Sequence, residues 1–224
     1  MKHKIIFVFF FLILKINAQS QTDKIEAFNS LLNITNLFNP LNLTETKVKI
    51  LFASRKNVLS PYFFDRSIKE YQQGFTDGKF NFWLGLDILN ELTNKYNYGL
   101  RIEFEYKQII YKEEYAVFRV DNSTNQYKLT VTTPIRDYFY FNETYAPKSF
   151  LGHNTAVFST YDFGKFSNLA SEFNAGFWIS GGINYYCFSC TTSIQSNGIT
   201  LTKFLLQNGQ ELGESSITRM YLLP

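Results

Sequence analysis

Two cysteines separated by two residues are the first feature that could carry chemistry. Cys187 and Cys190 stand in the order Cys-Phe-Ser-Cys. A redox pair with this spacing opens a helix after a strand, but here two tyrosines precede the motif and two threonines follow it, which favours a strand or a loop. A zinc site needs about four ligands, and His153 is the only other cysteine or histidine after residue 18. We therefore interpret the pair as a local disulfide or as two thiols in a loop.

The sequence offers little for acid–base or nucleophilic catalysis. A serine–histidine–acid triad would depend on His153, and no serine lies in the glycine pattern of a nucleophile elbow. Glu103 and Glu105 alternate with apolar residues beside Arg101. This pattern predicts the solvated face of a strand rather than a carboxylate pair for hydrolysis. We therefore expect neither an enzyme nor a bound cofactor.

Residues 1–18 have the pattern of an export signal. Lys2 and Lys4 precede an apolar run over residues 5–14, and Ala18 is a small residue suited to the position before a cleavage point. The run is about half as long as a membrane-spanning helix, so we predict a cleaved signal peptide, with an uncleaved anchor as the alternative. The sequence therefore predicts a secreted, extracellular protein without a membrane span.

The net charge of +3 belongs to this leader. Of the 22 Lys and Arg residues, three lie in residues 1–18, which contain no Asp or Glu, leaving 19 basic against 19 acidic residues. A neutral remainder gives no reason to expect nucleic acid as a partner. N-glycosylation sequons agree with export, and we expect at least two of the four to be used. The acceptor asparagines are Asn33, Asn42, Asn122 and Asn142.

The hydrophobic content of 45% and the aromatic content of 18% allow one well-packed domain. We predict an α+β fold with a twisted antiparallel sheet, short helices and a long irregular C-terminal lobe. Residues 19–46 form a leading helical segment that either packs on the domain or contacts a partner or a second copy. Residues 47–224 form the domain itself.

Hydrophobic periodicity and turn residues place the elements of this domain. Two helices are predicted over 64–71, ending at Gly74, and over 89–93, capped by Asp87. Strands are predicted over 48–53, 100–106, 115–120, 127–131 and 220–223. With a turn at 122–125, we expect strands 100–106, 115–120 and 127–131 to form a three-stranded antiparallel meander.

Ordered motifs from about residue 48 to residue 224 resemble the fibrinogen-like C-terminal domain family. Residues 82–87, Phe-Trp-Leu-Gly-Leu-Asp, followed by a short helix ending in Leu-Thr, are similar to the core signature of that family. Each further motif is weak alone, but the set is specific in its order and spacing. The further motifs are residues 71–75, 100–103, 115–116, 127–129, 158–162, 175–178 and 198–199, with Met220 and Pro224.

Two departures from the family pattern limit what the resemblance implies. Leu169 replaces a cysteine of a family disulfide, so a bond between Cys187 and Cys190 is the simplest remaining pairing. At the position of the family's calcium loop this chain keeps one aspartate, Asp162. Gly164 occupies the position of the family's next acidic residue, and Lys165 adds a positive charge. Because calcium needs six to eight oxygens, we predict that calcium binding is lost or very weak and that Asp162 is a vestigial ligand.

The resemblance implies recognition rather than catalysis, through a pocket in the irregular lobe. The matching wall is Phe177, Trp178, Tyr185 and Tyr186, whose rings suit sugar faces and peptide ends. The alternative is that Phe177 and Trp178 belong to the core. We expect a lectin-like module for acetylated sugars or glycoproteins, in defence or adhesion. The other hypothesis is an effector or decoy that contacts a protein without a sugar site.

Overall fold

The computed structural model describes residues 49–56, 62–78, 80–106, 108–132, 134–137, 150–180, 188–189, 204–205, 211–212 and 217–224. All of them belong to one compact unit, Lys49–Pro224. The predicted signal peptide and the leading segment 19–46 lie outside the described residues, so both stay predictions. Within the described ranges, no helix has the length and apolar character needed to cross a bilayer.

The described elements are short, and strands outnumber helices. The helices are α1 (Ile68–Gln73), α2 (Leu86–Lys95) and α3 (Ser167–Glu172), with 3-10 turns at Ser123–Asn125 and Phe150–His153. The strands are β1 (Ile50–Lys56), β2 (Phe75–Thr76), β3 (Phe82–Trp83), β4 (Gly99–Tyr106), β5 (Ile109–Tyr115), β6 (Phe118–Val120), β7 (Leu129–Val131), β8 (Pro134–Asp137), β9 (Phe158–Ser159), β10 (Phe177–Trp178), β11 (Phe204–Leu205), β12 (Glu211–Leu212) and β13 (Ile217–Leu223).

Seven strands form the main sheet in the order β2-β3-β1-β13-β4-β5-β8, with every pair antiparallel. The late strand β13 lies at its centre, where Met220 pairs with Ala53 of β1 on one side and with Ile102 of β4 on the other. Its residues alternate between buried and half-buried positions. This alternation fits a sheet with one face on the core, and it confirms the predicted closing strand and the α+β class.

The first two helices begin in different ways, α1 with a side-chain cap and α2 without one. Ser67 caps α1 by accepting from the backbone of Glu70, whose own side chain bonds back to the Ser67 backbone, and Gly74 ends the helix. The predicted start at residue 64 is therefore four residues too early. Helix α2 starts at Leu86 directly after Gly85. Asp87 lies within its first turn, so the prediction of Asp87 as the cap is wrong.

The predicted three-stranded meander is also wrong. Residues 115–120 divide between the end of β5 at Tyr115 and the separate strand β6, which pairs with β7 in a two-stranded sheet. Helix α2 draws β6 away from β5, because the Val120 carbonyl accepts from the amides of Asn90 (3.0 Å) and Asn94 (2.8 Å). In the main sheet, β4 instead pairs with β13 and β5. The predicted turn before β7 is confirmed as a 3-10 turn.

Aromatic rings join the main sheet to the smaller sheets. The Trp83 ring lies 6.0 Å from the Trp178 ring, and the Phe158 ring meets Trp178 edge-on at 5.2 Å. Phe52 stacks on Phe118 at 5.3 Å. All five side chains are buried, and burial of each ring contributes about 1.5–3 kcal/mol. The short strands are thus fixed by their packing as much as by their backbone pairing.

Candidate functional site

The two predicted pocket residues of β10 lie in the core. Phe177 and Trp178 are both fully buried. The Trp178 indole donates to the Tyr127 carbonyl at 2.7 Å, and β9 pairs with β10 through Phe158 and Ser159. Rings enclosed in this way cannot contact a ligand. The structure therefore corrects their assignment to a ligand-binding wall and supports the core alternative.

Tyr71 is the buried support next to the β9–β10 pair. Its hydroxyl donates to the Phe64 carbonyl (2.8 Å) and accepts from the Gly176 backbone (3.1 Å). Burial raises the pKa of Tyr71, so the hydroxyl keeps its proton at all physiological pH values. A Cβ atom added to Gly176 would lie 2.3 Å from the Tyr71 ring. Glycine is therefore needed here for close approach, which matches its place in the family motif.

The two residues between the cysteines are anchored to this support. The Arg55 guanidinium donates to the Phe188 carbonyl at 3.0 Å, and the Ser189 hydroxyl donates to the Gly176 carbonyl at 2.5 Å. The Phe188 ring packs edge-on against Phe64, and Phe188 and Ser189 are both fully buried. Residues 188–189 are therefore held to β1 and to Gly176, the residue directly before β10.

Cys187, Cys190, Tyr185 and Tyr186 lie outside the described residues. The disulfide and the contribution of the two tyrosines to a ligand pocket therefore stay predictions.

The loop that follows β9 makes a tight turn. Thr160 and Phe163 exchange two backbone hydrogen bonds, at 2.9 and 3.2 Å, which places Tyr161 and Asp162 at the tip. Asp162 Oδ1 accepts from the Thr160 hydroxyl (2.7 Å) and from the backbone N–H of Ile68 (3.0 Å). Tyr161 is 49% exposed. The turn thus presents an aromatic side chain on a backbone that is tied to α1.

Sequence reasoning missed Tyr161 as a binding candidate. It occupies the variable position of the motif Phe-Ser-Thr-Tyr-Asp over residues 158–162, between residues that are buried or hydrogen-bonded. An aromatic residue at the one variable position was the available signal. Tyr62, 60% exposed directly before the buried pair Phe63 and Phe64, is a second exposed tyrosine that the sequence did not single out.

The remaining candidates for catalysis have structural roles. His153 is buried, with Nδ1 2.6 Å from the Trp178 carbonyl oxygen and its ring against Phe150 and Phe177. Glu103 is 7% exposed and lies 3.1 Å from the Lys49 ammonium, so the expectation of a solvated face is wrong at this position. The carboxylate is covered because the Lys49 ammonium and the Arg101 guanidinium, at 3.7 Å, both lie against it.

One of the four predicted glycosylation sites, Asn122, lies among the described residues. Asn122 is exposed and caps the 3-10 turn Ser123–Asn125, with Oδ1 accepting from the Thr124 hydroxyl at 2.6 Å and from the Asn125 backbone at 3.2 Å. Asn33, Asn42 and Asn142 lie outside the described residues. Both hydrogen bonds use the oxygen of the Asn122 amide, so they are compatible with a glycan on its nitrogen.

Comparison with known proteins identifies the class that this fold and lobe define. The profile of the family described as fibrinogen beta and gamma chains, C-terminal globular domain, matches residues 36–207. The chain belongs to this family, as the sequence motifs predicted.

Individual relatives agree with the family assignment. Tenascin of Mus musculus is 33% identical over 132 residues, which cover 58% of this chain and 6% of that protein. Ficolin-3 of Homo sapiens is 31% identical over 114 residues, covering 50% of this chain and 35% of that protein. The chain spans under a quarter of the first matched relatives, including 22% of Angiopoietin-related protein 1 of Mus musculus.

Solved structures share the fold at lower identity. The fibrinogen-like globe domain of human ANGPTL2 has a TM-score of 0.58 at 22% identity, covering 81% of this chain and 82% of that one. A lamprey fibrin D-dimer, complexed with the peptide Gly-His-Arg-Pro-amide, has a TM-score of 0.55 at 19% identity, covering 81% and 63%. These likenesses show the fold.

Proposed function

We propose that this chain is a secreted recognition module that binds extracellular glycans or glycoproteins through the surface around Tyr161. The main support is the turn at residues 160–163, where hydrogen bonds fix the backbone that presents an exposed tyrosine. A rigid aromatic ring with a polar tip provides contact area for a sugar face or a peptide at low entropic cost. Tyr185 and Tyr186, which the sequence predicts as further ligand contacts, lie outside the described residues.

Family membership supports recognition rather than catalysis. Tenascin, ficolin and angiopoietin-related proteins are among the matched relatives, and a fibrin relative was solved with a bound peptide. Export through the predicted signal peptide would place the chain in the compartment where glycans are displayed. The buried His153 adds a chemical reason, because a general base must reach its substrate.

A second candidate is binding of a protein surface without a sugar site. The burial of Phe177 and Trp178 favours it, because half of the predicted aromatic wall is core. Exposed tyrosines are equally suited to protein interfaces, where they are enriched. The two candidates therefore share Tyr161 and differ in the ligand.

The experiment is a glycan array probed with the purified full-length chain, beside the variants Tyr161→Ala and Tyr96→Ala. Tyr96 is a matched control, because it is a 36% exposed tyrosine at the end of α2. Binding to N-acetylated sugars that is lost in Tyr161→Ala and kept in Tyr96→Ala supports the sugar site.

If the chain binds an unglycosylated protein, depends on Tyr161 to do so, and gives no glycan signal, the second candidate is supported. Glycan binding that Tyr161→Ala leaves unchanged overturns the placement of the site. Circular dichroism of each variant checks that the fold is retained.

A further inference from the structure

We propose that the loop 160–166 is held in place without a metal ion, because the Asp162 carboxylate binds the backbone of α1 instead. Family resemblance implies calcium in this loop, and the residues present do not fit that ion. The inference concerns the stability of the loop, so it does not depend on the ligand proposed above.

The loop lacks the oxygens that calcium requires. Calcium takes six to eight oxygen ligands, several of them carboxylate. Asp162 is the only acidic residue in the loop, and Lys165 adds a positive charge. Across the described part of the chain, no group of three or more His, Cys, Asp or Glu residues could hold a metal ion. A cation here would find a single carboxylate, in a loop that also carries the positive charge of Lys165.

The backbone also excludes a second carboxylate at the position where the family has one. Gly164 has a φ of 87°, in the left-handed region that favours glycine. A Cβ atom there would lie 2.3 Å from the Phe158 carbonyl oxygen and 2.9 Å from Ser159 Cα. Both are backbone atoms that cannot rotate away. The loop therefore follows a path on which no acidic side chain fits at residue 164.

Asp162 uses its oxygen for a different purpose. Ile68 is the first residue of α1, and its N–H has no acceptor within the helix. Ser67 and Glu70 cap each other's backbone, so the Ile68 N–H needs an acceptor from elsewhere, and Asp162 Oδ1 supplies it at 3.0 Å. The Thr160 hydroxyl holds the same oxygen at 2.7 Å. One carboxylate oxygen thus joins the loop to a helix that lies 94 positions earlier.

A further bond closes the other end of the loop. The Phe166 backbone donates to the Ser159 hydroxyl at 3.2 Å, and Ser159 is fully buried. Together with the paired backbones of Thr160 and Phe163, protein groups fix both ends and the tip. A metal ion has no remaining structural role there.

The test compares thermal unfolding of the full-length chain in excess calcium and in EDTA, with calorimetric calcium titration. The variants are Asp162→Ala, Asp162→Asn and the surface control Glu172→Gln. We expect no heat of calcium binding and the same Tm in both conditions. Asp162→Ala removes the acceptor and should lower Tm by about 2–4 °C. Asp162→Asn keeps an acceptor oxygen and should lose less, and Glu172→Gln should match the unmodified chain.

Three results would overturn the proposal. One is calcium binding with a rise in Tm that EDTA reverses. Another is an Asp162→Ala variant with unchanged Tm. The third concerns Gly164→Asp, which returns an acid to the loop and should lower Tm without creating calcium binding; a calcium-binding Gly164→Asp variant of normal stability would contradict the backbone argument.

Discussion

Replacing Gly176 by alanine should destabilise the domain through steric overlap with Tyr71 and Thr160. The added methyl group would lie 2.3 and 2.7 Å from Tyr71 ring carbons and 2.8 Å from Thr160 Cγ2. The Tyr71 ring is fully buried and touches Phe75, Trp83 and Phe158, so it cannot turn aside. Overpacking of this kind costs about 1–3 kcal/mol. For a domain of this size, a cost of about 2 kcal/mol lowers Tm by about 4–8 °C.

A double-mutant cycle with Tyr71→Phe separates packing from hydrogen bonding. Phenylalanine keeps the ring carbons but removes the hydroxyl that accepts from the Gly176 backbone. If the methyl group strains the ring, Gly176→Ala should cost nearly the same free energy in both backgrounds, measured by urea unfolding. If Gly176→Ala costs no free energy of unfolding in the Tyr71→Phe background, its effect depends on the hydrogen bond. A Gly176→Ala variant with the same Tm as the unmodified chain would refute the close packing itself.

Two further predictions concern a titrating group and a modification. Burial, followed by the nearby Glu103 carboxylate, raises the pKa of Tyr221 from 10 to about 12. The fold favours the neutral phenol, so its stabilising contribution is complete below pH 10 and is lost as the pH rises towards 12. Tyr221→Phe should therefore show a shallower decline of unfolding free energy over that range, and an equally steep decline would contradict the assignment. We also expect Asn122 to carry a glycan when the chain is secreted from eukaryotic cells. Asn122→Asp keeps the oxygen that caps the turn but removes the acceptor nitrogen, so it should lose an endoglycosidase-sensitive mass shift while keeping Tm, and an unchanged shift would exclude this sequon.

Local sequence signals predicted the parts of the fold that depend on neighbours in the chain. The motif over residues 82–87 located Trp83 and the helix that follows it, and Gly74 marked the end of α1. The strand order was beyond such signals. Strand β4 pairs with β13, which lies more than a hundred residues later. The local sequence of neither strand indicates which strand it pairs with.

The site was predicted less well than the fold for the same physical reason. An aromatic residue suits a pocket and a core equally, and distant residues decide between them. Phe177 and Trp178 are core because Phe150, Phe158 and the Tyr127 carbonyl surround them. Asp162 was interpreted as a vestigial ligand because its sequence neighbours are poor ligands. Its partner Ile68 is remote in the chain and could be found only in three dimensions.

The central position of β13 has a consequence for biosynthesis. A ribosome delivers β1 and β4 long before residues 217–223, so each of these strands waits with one edge unpaired. Unpaired edges invite pairing with other chains, and long-range pairing delays folding. The nascent chain therefore depends on protection in the compartment where it is made until β13 is available for pairing. Protease resistance should appear only after residues 217–223 have left the ribosome and paired, and a chain that stops before residue 217 should be degraded.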